Sequence, residues 1–289
     1  MNSGQKLRRT RLAPTPSGYL HLGNVLSFAI TASLAVEKGA RILLRIDDMD
    51  RERTEPGYVQ DIFDTLHYLE IPWDEGPGDY GGFQREYSQL HRMEMYRKTL
   101  EVLKGTGQVF ACTCSRSDIA RLSSDGSYPG TCRDRHIALD TDGACWRLRT
   151  DGAGLPASMH DFVIRRKDGF PAYQVTSVVD DGYFEVDLVV RGEDLRPSTE
   201  AQLYLSQLLP GNTFRAATFH HHLLLADTGG GKLSKSAGAL SVQALRKEGH
   251  QPAAIYSMIA ATLGSDRPAK NFRELGEIAR LPGNIKNGS

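Results

Sequence analysis

The order of apolar and polar positions near the N-terminus predicts a strand, a helix and a second strand. Residues 11–13 have the pattern of a short strand, and from His21 apolar residues recur every three or four positions as far as Gly39, which suits a helix C-cap. A continuous apolar run over residues 41–46 is typical of a buried parallel strand. Such βαβ units assemble into a doubly wound parallel sheet of the Rossmann type, so the sequence predicts an α/β fold.

The rest of the chain continues this α/β order around one insertion. Residues 108–170 contain short strand-like pieces between glycine turns, and we interpret them as the insertion. We therefore predict one large α/β domain over residues 1–236 and a short helical C-terminal region over residues 237–289. The further predicted helices cover residues 55–69, 85–104, 198–209, 242–248, 252–263 and 272–279, and the later strands cover residues 186–191 and 219–225.

Composition and charge restrict the class of protein but do not indicate a binding partner. The chain has 289 residues, 40% of them hydrophobic and 24% charged, which excludes general disorder. The 35 lysines and arginines balance the 35 acidic residues, so any nucleic acid must be held by a local patch. No apolar run approaches the roughly 20 residues of a membrane helix, and none follows the basic N-terminus as in a secretory signal. We expect a soluble, cytoplasmic enzyme that does not contact membranes and is a monomer.

The turn after the first predicted strand has the features of a phosphate site. It contains Gly18 and leads into His21-Leu22-Gly23-Asn24 at the start of the predicted helix. Backbone N–H groups and the helix dipole attract anions there, His21 suits donation to a phosphate oxygen, and Gly23 lets a nucleotide approach the backbone. A plain strand–helix turn with a surface histidine is the alternative that this segment leaves open.

A second glycine-rich segment carries two lysines. Three glycines precede Lys232-Leu233-Ser234-Lys235-Ser236, and the ammonium groups suit the charge that develops on a transferring phosphate. A solvated basic loop is the alternative for this segment by itself. Both segments follow predicted strands of one sheet, and ligands of such sheets bind at the carboxyl ends of the strands, so we expect the segments to converge.

Together these segments resemble the two signature motifs of class I aminoacyl-tRNA synthetases. Residues 11–18, Arg-Leu-Ala-Pro-Thr-Pro-Ser-Gly, are similar to the start of glutamyl-tRNA synthetases, and the resemblance extends to about residue 236. It implies a ligase in which His21 and Lys235 are catalytic and Mg²⁺ accompanies ATP. The residues that the resemblance assigns to ATP are His21, Gly23, Asn24, Lys232, Ser234 and Lys235.

The resemblance also implies a glutamate site. Arg11 and Thr15 would contact the amino acid, Tyr173 would line the pocket, and Arg191 would pair with the side-chain carboxylate through its guanidinium fork. Glutaminyl enzymes do not usually carry an arginine at this position, so Arg191 favours glutamate over glutamine. A surface ion pair with a neighbouring carboxylate is the alternative for Arg191.

One position departs from the family pattern. Where the family usually has Ile-Glu-Asp, with the glutamate taking the substrate's amino group, this chain has Ile46-Asp47-Asp48. The charge of Asp47 is appropriate, but its side chain is shorter by one methylene. We therefore expect Asp47 to reach the ammonium group through a water molecule or after a backbone shift.

The insertion carries a cysteine pattern typical of a structural zinc site. Cys112 and Cys114 are followed by Cys132, and three thiolates need a fourth ligand to complete a tetrahedron. Spacing alone favours His136 or Cys145 as that ligand. The Tyr-x-x-x-Cys spacing of Tyr128 and Cys132 instead resembles the zinc module of glutamyl-Q tRNA(Asp) synthetases, in which a tyrosine completes the site. Three small buried hydrophobic side chains are the alternative.

The short tail fits the same branch of the family. Only 53 residues follow Ser236, with 7 lysines and arginines against 4 acidic residues, which is too little for an anticodon-binding domain. The resemblance implies activation of glutamate and its attachment to queuosine in the anticodon arm of tRNA(Asp). Two rivals remain: a short glutamyl-tRNA synthetase that charges the terminal ribose, and a paralogue that binds tRNA or protein without catalysis.

Overall fold

The computed structural model describes residues 7–225 and 241–281. The strands are β1 (Arg9–Leu12), β2 (Arg41–Leu44), β3 (Val109–Cys112), β4 (Cys145–Leu148), β5 (Val163–Arg165), β6 (Leu188–Gly192) and β7 (Thr218–His222). The helices are α1 (Leu22–Lys38), α2 (Pro56–Tyr68), α3 (Tyr80–Gly82), α4 (Met93–Gly105), α5 (Arg116–Leu122), α6 (Tyr173–Tyr183), α7 (Arg196–Gln207), α8 (Val242–Lys247), α9 (Pro252–Thr262) and α10 (Phe272–Ala279).

These elements form two compact units. The first unit comprises the chain up to His91, the segment Val186–Asp194 and the chain from Thr218 onwards. The second comprises Arg92–Glu185 and Leu195–Ala217. The domain boundary expected at residue 236 lies outside the described residues, so the two domain ranges stay predictions.

A parallel four-stranded sheet forms the centre of the first unit. Its strand order is β2-β1-β6-β7, and every neighbouring pair is parallel. The apolar side chains of β1, β2 and β6 are buried, as expected for a parallel sheet covered by helices. The helix α1 follows β1 and ends at Gly39, whose φ of 65° is the left-handed conformation that suits glycine. The predicted parallel α/β fold is thereby confirmed.

The described C-terminal helices α8, α9 and α10 pack into the core of this same unit. Their apolar side chains belong to one cluster with those of α1 and α2. The helix α10 approaches α1 closely at Gly276, where a Cβ atom would lie 2.4 Å from the Cβ of Ser33. The predicted helical C-terminal region is confirmed, and it contributes core to the first unit.

The second unit contains a separate antiparallel sheet, in the order β3-β4-β5, within the predicted insertion. Its helical part includes a buried ion pair. Both guanidinium nitrogens Nε and Nη2 of Arg92 donate to the carboxylate of Asp180, which also accepts from the Tyr96 hydroxyl at 2.7 Å. These contacts hold α4 against α6.

The predicted helix over residues 85–104 begins too early. A π-helical segment (Phe83–Tyr87) ends at Ser88, and α4 starts only at Met93. The cause is the buried Asp48, whose carboxylate accepts from the Ser88 hydroxyl at 2.6 Å and from the Gln89 N–H at 2.8 Å. These bonds keep the segment out of a continuous α-helix.

Among the described residues, no helix combines the length and the apolar character that crossing a membrane requires.

Candidate active site

The carboxyl ends of the parallel strands bring several predicted residues to one edge of the first unit. The chain continues its pairing beyond β1 and β2, because Arg45 N–H donates to Leu12 C=O at 2.8 Å and Asp47 N–H donates to Pro14 C=O at 2.9 Å. This pairing lays the segment that contains Asp47 beside the segment that leads to the exposed Thr15. This edge is where ligands bind in open α/β sheets.

His21 is the N-cap of α1 and is held by a reciprocal pair of hydrogen bonds. Its ring Nδ1 accepts from the Gly23 N–H at 3.1 Å, and its own backbone N–H donates to the Asn24 side-chain oxygen at 3.0 Å. A neutral histidine that accepts at Nδ1 carries its proton on Nε2. The local geometry thus orients the ring and makes Nε2 a donor.

Gly23 and Asn24, both predicted to bind ATP, therefore shape the N-terminus of α1. A Cβ atom on Gly23 would lie 3.0 Å from His21 Cε1, so a larger residue would press on the ring. The first turn of α1 contains no acidic residue. The dipole of α1 thus remains favourable to an anion, although the Gly23 N–H already donates to the His21 ring.

Two of the predicted glutamate-binding arginines lie on neighbouring strands. Arg11 in β1 is buried, and its Nη1 donates to Val190 C=O at 3.1 Å. Arg191, next to Val190 in β6, is also buried and is aligned with His221 of β7. Two guanidinium groups in the interior of the unit suit the recognition of a carboxylate-rich substrate.

Asp47 forms a bidentate ion pair with Arg45, which the sequence reasoning did not include. Arg45 Nε and Nη2 donate to the two carboxylate oxygens of Asp47 at 2.7 and 2.9 Å, and both side chains are buried. Residues two apart in an extended segment share a face, which is the signal that predicts such a pair. An ammonium group would share this carboxylate with Arg45.

The described structure does not test the other four residues predicted for this site. Tyr173 is the first residue of α6 in the second unit, and 42% of it is exposed. Lys232, Ser234 and Lys235 fall outside the described residues. Their assignments stay predictions.

Three cysteines of the second unit lie close enough to bind one metal ion. The sulfur atoms of Cys112, Cys114 and Cys132 all lie within 4.8 Å of one another, and those of Cys114 and Cys132 are 3.5 Å apart. Sulfur ligands about 2.3 Å from a tetrahedral zinc ion lie at comparable separations, so the donor set fits this ion.

Tyr128 also lies at this cluster, whereas His136 is exposed. The Tyr128 oxygen accepts from the Cys132 N–H at 2.8 Å, and the hydroxyl hydrogen-bonds the Cys112 sulfur. Arg147, which the sequence reasoning missed, places its guanidinium carbon 3.7 Å from the centre of the Tyr128 ring. Burial, then the hydrogen bond to Cys112, raises the pKa of Tyr128, so a bound metal ion would have to displace the phenol proton.

Cys145 lies next to the cluster without joining the group of three. It is aligned with Cys112 across the β3–β4 pair, and its thiol donates to Cys112 C=O at 3.3 Å. Hydrogen bonds from Cys145, then from Tyr128 and Arg147, lower the pKa of Cys112 to about 4, whereas burial raises the pKa of Cys114 to about 12. One thiolate is thus stabilised before any metal adds its charge.

Comparison with known proteins defines the family. Residues 8–138 and 150–282 match the family model described as the catalytic domain of class I tRNA synthetases (E and Q). The chain belongs to this family.

Relatives and solved structures agree with this assignment. A glutamyl-Q tRNA(Asp) synthetase of Parasynechococcus marenigrum is 37% identical over 276 residues, which are 93% of this chain and 89% of that protein. Glutamate–tRNA ligase 2 of Acidithiobacillus ferrooxidans is 34% identical over 95% of this chain and 63% of its own length. The crystal structure of a glutamate-tRNA synthetase from Elizabethkingia anophelis has the same fold, with a TM-score of 0.72 at 22% identity; this chain spans 66% of that longer chain.

Proposed function

We propose that this protein activates L-glutamate with ATP and transfers it to the queuosine base of tRNA(Asp). The observation that carries the proposal is the oriented His21 at the N-terminus of α1, in the same unit as the buried Arg11 and Arg191. The similarity to glutamyl-Q tRNA(Asp) synthetases over most of both chains supports this reaction. The enzyme class is that of an ATP-dependent ligase.

The first step forms glutamyl-adenylate. The α-carboxylate of glutamate attacks the α-phosphorus of ATP in line, the bond to the bridging oxygen breaks, and pyrophosphate leaves. His21 Nε2–H and the α1 dipole stabilise the negative charge that develops on the phosphate oxygens, and Lys235 adds a positive charge. Mg²⁺ bound with ATP would supply further positive charge to the phosphates.

Different residues bind the side-chain carboxylate of glutamate and its ammonium group. Arg191 pairs with the side-chain carboxylate, Arg11 and Thr15 contact the amino acid, and the Asp47 carboxylate attracts the ammonium group while paired with Arg45. The role of Tyr173 is taken from the family resemblance.

The second step transfers the glutamyl group. A hydroxyl oxygen of the queuosine ring attacks the carbonyl carbon of the adenylate, the mixed-anhydride bond breaks, and AMP leaves as the hydroxyl proton is lost. No enzyme nucleophile is required, because the adenylate is already activated. The anticodon arm docks mainly through phosphate and shape contacts, and because the net charge of the chain is balanced, a local basic patch supplies the phosphate contacts.

A structural zinc ion bound by Cys112, Cys114, Cys132 and Tyr128 completes the proposal. The fit rests on the three close sulfurs and on the Tyr128 oxygen that contacts both Cys112 and the Cys132 backbone. Zinc would link β3 to the turn that carries Cys132 and so stabilise the second unit. The protein would act as a cytoplasmic monomer.

The test is glutamate-dependent exchange between ATP and labelled pyrophosphate without tRNA, with aspartate and glutamine as controls. Exchange with glutamate alone supports the activation step. Radioactive glutamate is then offered to tRNA(Asp) with and without queuosine, and ribonuclease fragments are separated. Label in the anticodon fragment, only with queuosine, supports the transfer; label at the 3′ end indicates a glutamyl-tRNA synthetase instead. Absence of exchange with and without tRNA would leave only the binding paralogue.

A further inference from the structure

Asp61 is a carboxylate buried beside the residue that precedes His21. It lies in α2 and is 2% exposed, and its Oδ2 accepts a hydrogen bond from the Leu20 N–H at 3.3 Å. Burial raises the pKa of Asp61, as expected for a carboxylate removed from water. The mechanism described above does not use this side chain.

The charge of Asp61 is met by Arg246 in α8. Arg246 Nη2 lies 2.8 Å from Asp61 Oδ1, and only 18% of the arginine side chain is exposed. The same nitrogen is 3.8 Å from Asp64 Oδ2, but the Asp64 side chain is 46% exposed. The buried and closer Asp61 is therefore the principal partner of Arg246.

Backbone contacts also join the segment before α1 to the start of α8. Val242 N–H donates to Leu20 C=O at 2.8 Å, and His21 forms an isolated antiparallel bridge with Ser241. The Ser241 hydroxyl accepts from the Ala244 N–H at 3.1 Å and so caps α8. Leu20 is thus bonded to Asp61 through its N–H and to the start of α8 through its C=O.

We propose that Asp61 is a positioning residue, which fixes Leu20 and therefore His21 against α8. This inference rests on the proposed function. Through the Leu20 N–H and the Arg246 guanidinium, Asp61 connects the residue before His21 to α8. A displacement of about 1 Å between groups that act on one phosphate reduces the rate by about 100-fold.

The test compares Asp61→Asn, Arg246→Met, the double variant and the control Asp64→Asn, which removes a charge from the same helix near the same arginine. We expect Asp61→Asn to lower kcat of pyrophosphate exchange about 10- to 100-fold with little change in the KM for glutamate. Asp64→Asn should stay within about twofold of the wild type.

The double variant separates positioning from stability. Removal of both charges relieves the partly buried arginine that has lost its principal partner, so resistance to urea should recover relative to Asp61→Asn. If Asp61 positions His21, kcat stays low in the double variant. Recovery of kcat together with stability would overturn the proposal, as would a normal kcat in folded Asp61→Asn.

Amide hydrogen exchange provides a readout that does not depend on the reaction. Asp61→Asn, but not Asp64→Asn, should lose protection in residues 18–24 and 241–246 together. If the wild type shows no glutamate-dependent pyrophosphate exchange, the proposed function has failed. The amide protection pattern alone then decides whether Asp61 connects residues 18–24 to residues 241–246. Unchanged protection in both segments would refute the link in either case.

Discussion

Arg45 holds both carboxylate oxygens of Asp47 in a buried bidentate pair. The pair lies directly after β2, at the edge where the parallel strands end. It occupies the position at which the family usually has a glutamate, and it gives the shorter aspartate a fixed orientation. This buried carboxylate neutralises Arg45, and in the function proposed above it also attracts the substrate's ammonium group.

The first prediction concerns this pair. Asp47→Asn would leave the buried Arg45 uncompensated, and we expect the free energy of unfolding to fall by about 3 kcal/mol. The KM for glutamate should rise as well, because the site loses its negative charge. Urea unfolding and pyrophosphate exchange measure the two effects.

Asp50→Asn is the matched control for that change. Asp50 lies 3.7 Å from Arg53, whose side chain is 62% exposed against 36% for Asp50, so loss of this pair should change the free energy of unfolding by about 0.5 kcal/mol or less. A normal KM for glutamate in Asp47→Asn would show that the ammonium group is recognised by other residues.

The second prediction uses the close approach of Gly23 to His21. In Gly23→Ala the new methyl group would press on the ring at 3.0 Å, and we expect kcat of pyrophosphate exchange to fall about 10-fold or more. Stability should not decrease, since alanine favours the helix over glycine by up to about 1 kcal/mol.

Gly57→Ala, in the first turn of α2, is the control, because a Cβ atom there meets nothing within 4 Å. It should leave the rate unchanged. Equal rates for both alanine variants would mean that the orientation of His21 does not limit adenylate formation.

The parallel sheet was predictable because its signals are local. Apolar runs identify β1 and β2, and the helical repeat that ends at Gly39 identifies α1. The break before α4 was not predictable, because it results from Ser88 and Gln89 bonding a carboxylate 40 residues earlier in the chain. Local secondary-structure propensity cannot predict a hydrogen bond to a residue so far away in the chain.

The candidate site also has some features that local sequence predicts and others that depend on residues far apart in the chain. The capping pattern of His21 and Asn24 is contained in four consecutive residues, so the sequence suffices for it. Spacing alone left His136 and Cys145 open as zinc ligands, and only the fold brings the Tyr128 oxygen to Cys112. The partner of Asp61 lies 185 residues away, where no periodicity points.

The third prediction concerns the lysine segment. Lys235→Ala should slow adenylate formation by about two to three orders of magnitude, the effect of losing one group that stabilises transition-state charge. Lys247→Ala, in the last turn of α8, removes an exposed lysine and should have no such effect. An unaltered rate in Lys235→Ala would remove this residue from the mechanism.

The fourth prediction distinguishes the candidate metal ligands. Cys112→Ser should reduce bound zinc well below one equivalent and increase protease sensitivity of the second unit, while adenylate formation is largely retained. Tyr128→Phe should weaken zinc binding, and Cys145→Ala should not. Metal content after dialysis against a chelator measures all three.

A different order of zinc loss among these three variants would change the assignment of the fourth zinc ligand. If Cys145→Ala loses zinc as completely as Cys112→Ser, then Cys145 completes the site in place of Tyr128. An equal loss of zinc and of adenylate formation in Cys112→Ser would mean that the metal supports the active site itself.

The fifth prediction concerns pH and the histidines of β7. Burial, then the positive charges of His222 and Arg280, lower the pKa of His220 to about 4. Burial also lowers the pKa of His222, against the opposing effects of its hydrogen bond to the Leu223 backbone and of Asp194. Below about pH 6.5 the unfolded chain therefore binds protons that the folded chain excludes. The contribution of these two histidines to the free energy of unfolding is fully present above that pH and is lost as the pH falls towards 4.

We expect His220 to account for about 2 kcal/mol of this loss, a value reduced from the full pKa shift because its ring is partly exposed. His220→Gln should flatten the dependence of unfolding free energy on pH between about 6.5 and 4, whereas the exposed His160→Gln should not. Part of the slope should remain, because His222 is still present and is also buried. Urea unfolding at several pH values measures the slopes, and parallel curves for His220→Gln and the wild type would show that His220 is protonated equally in both states.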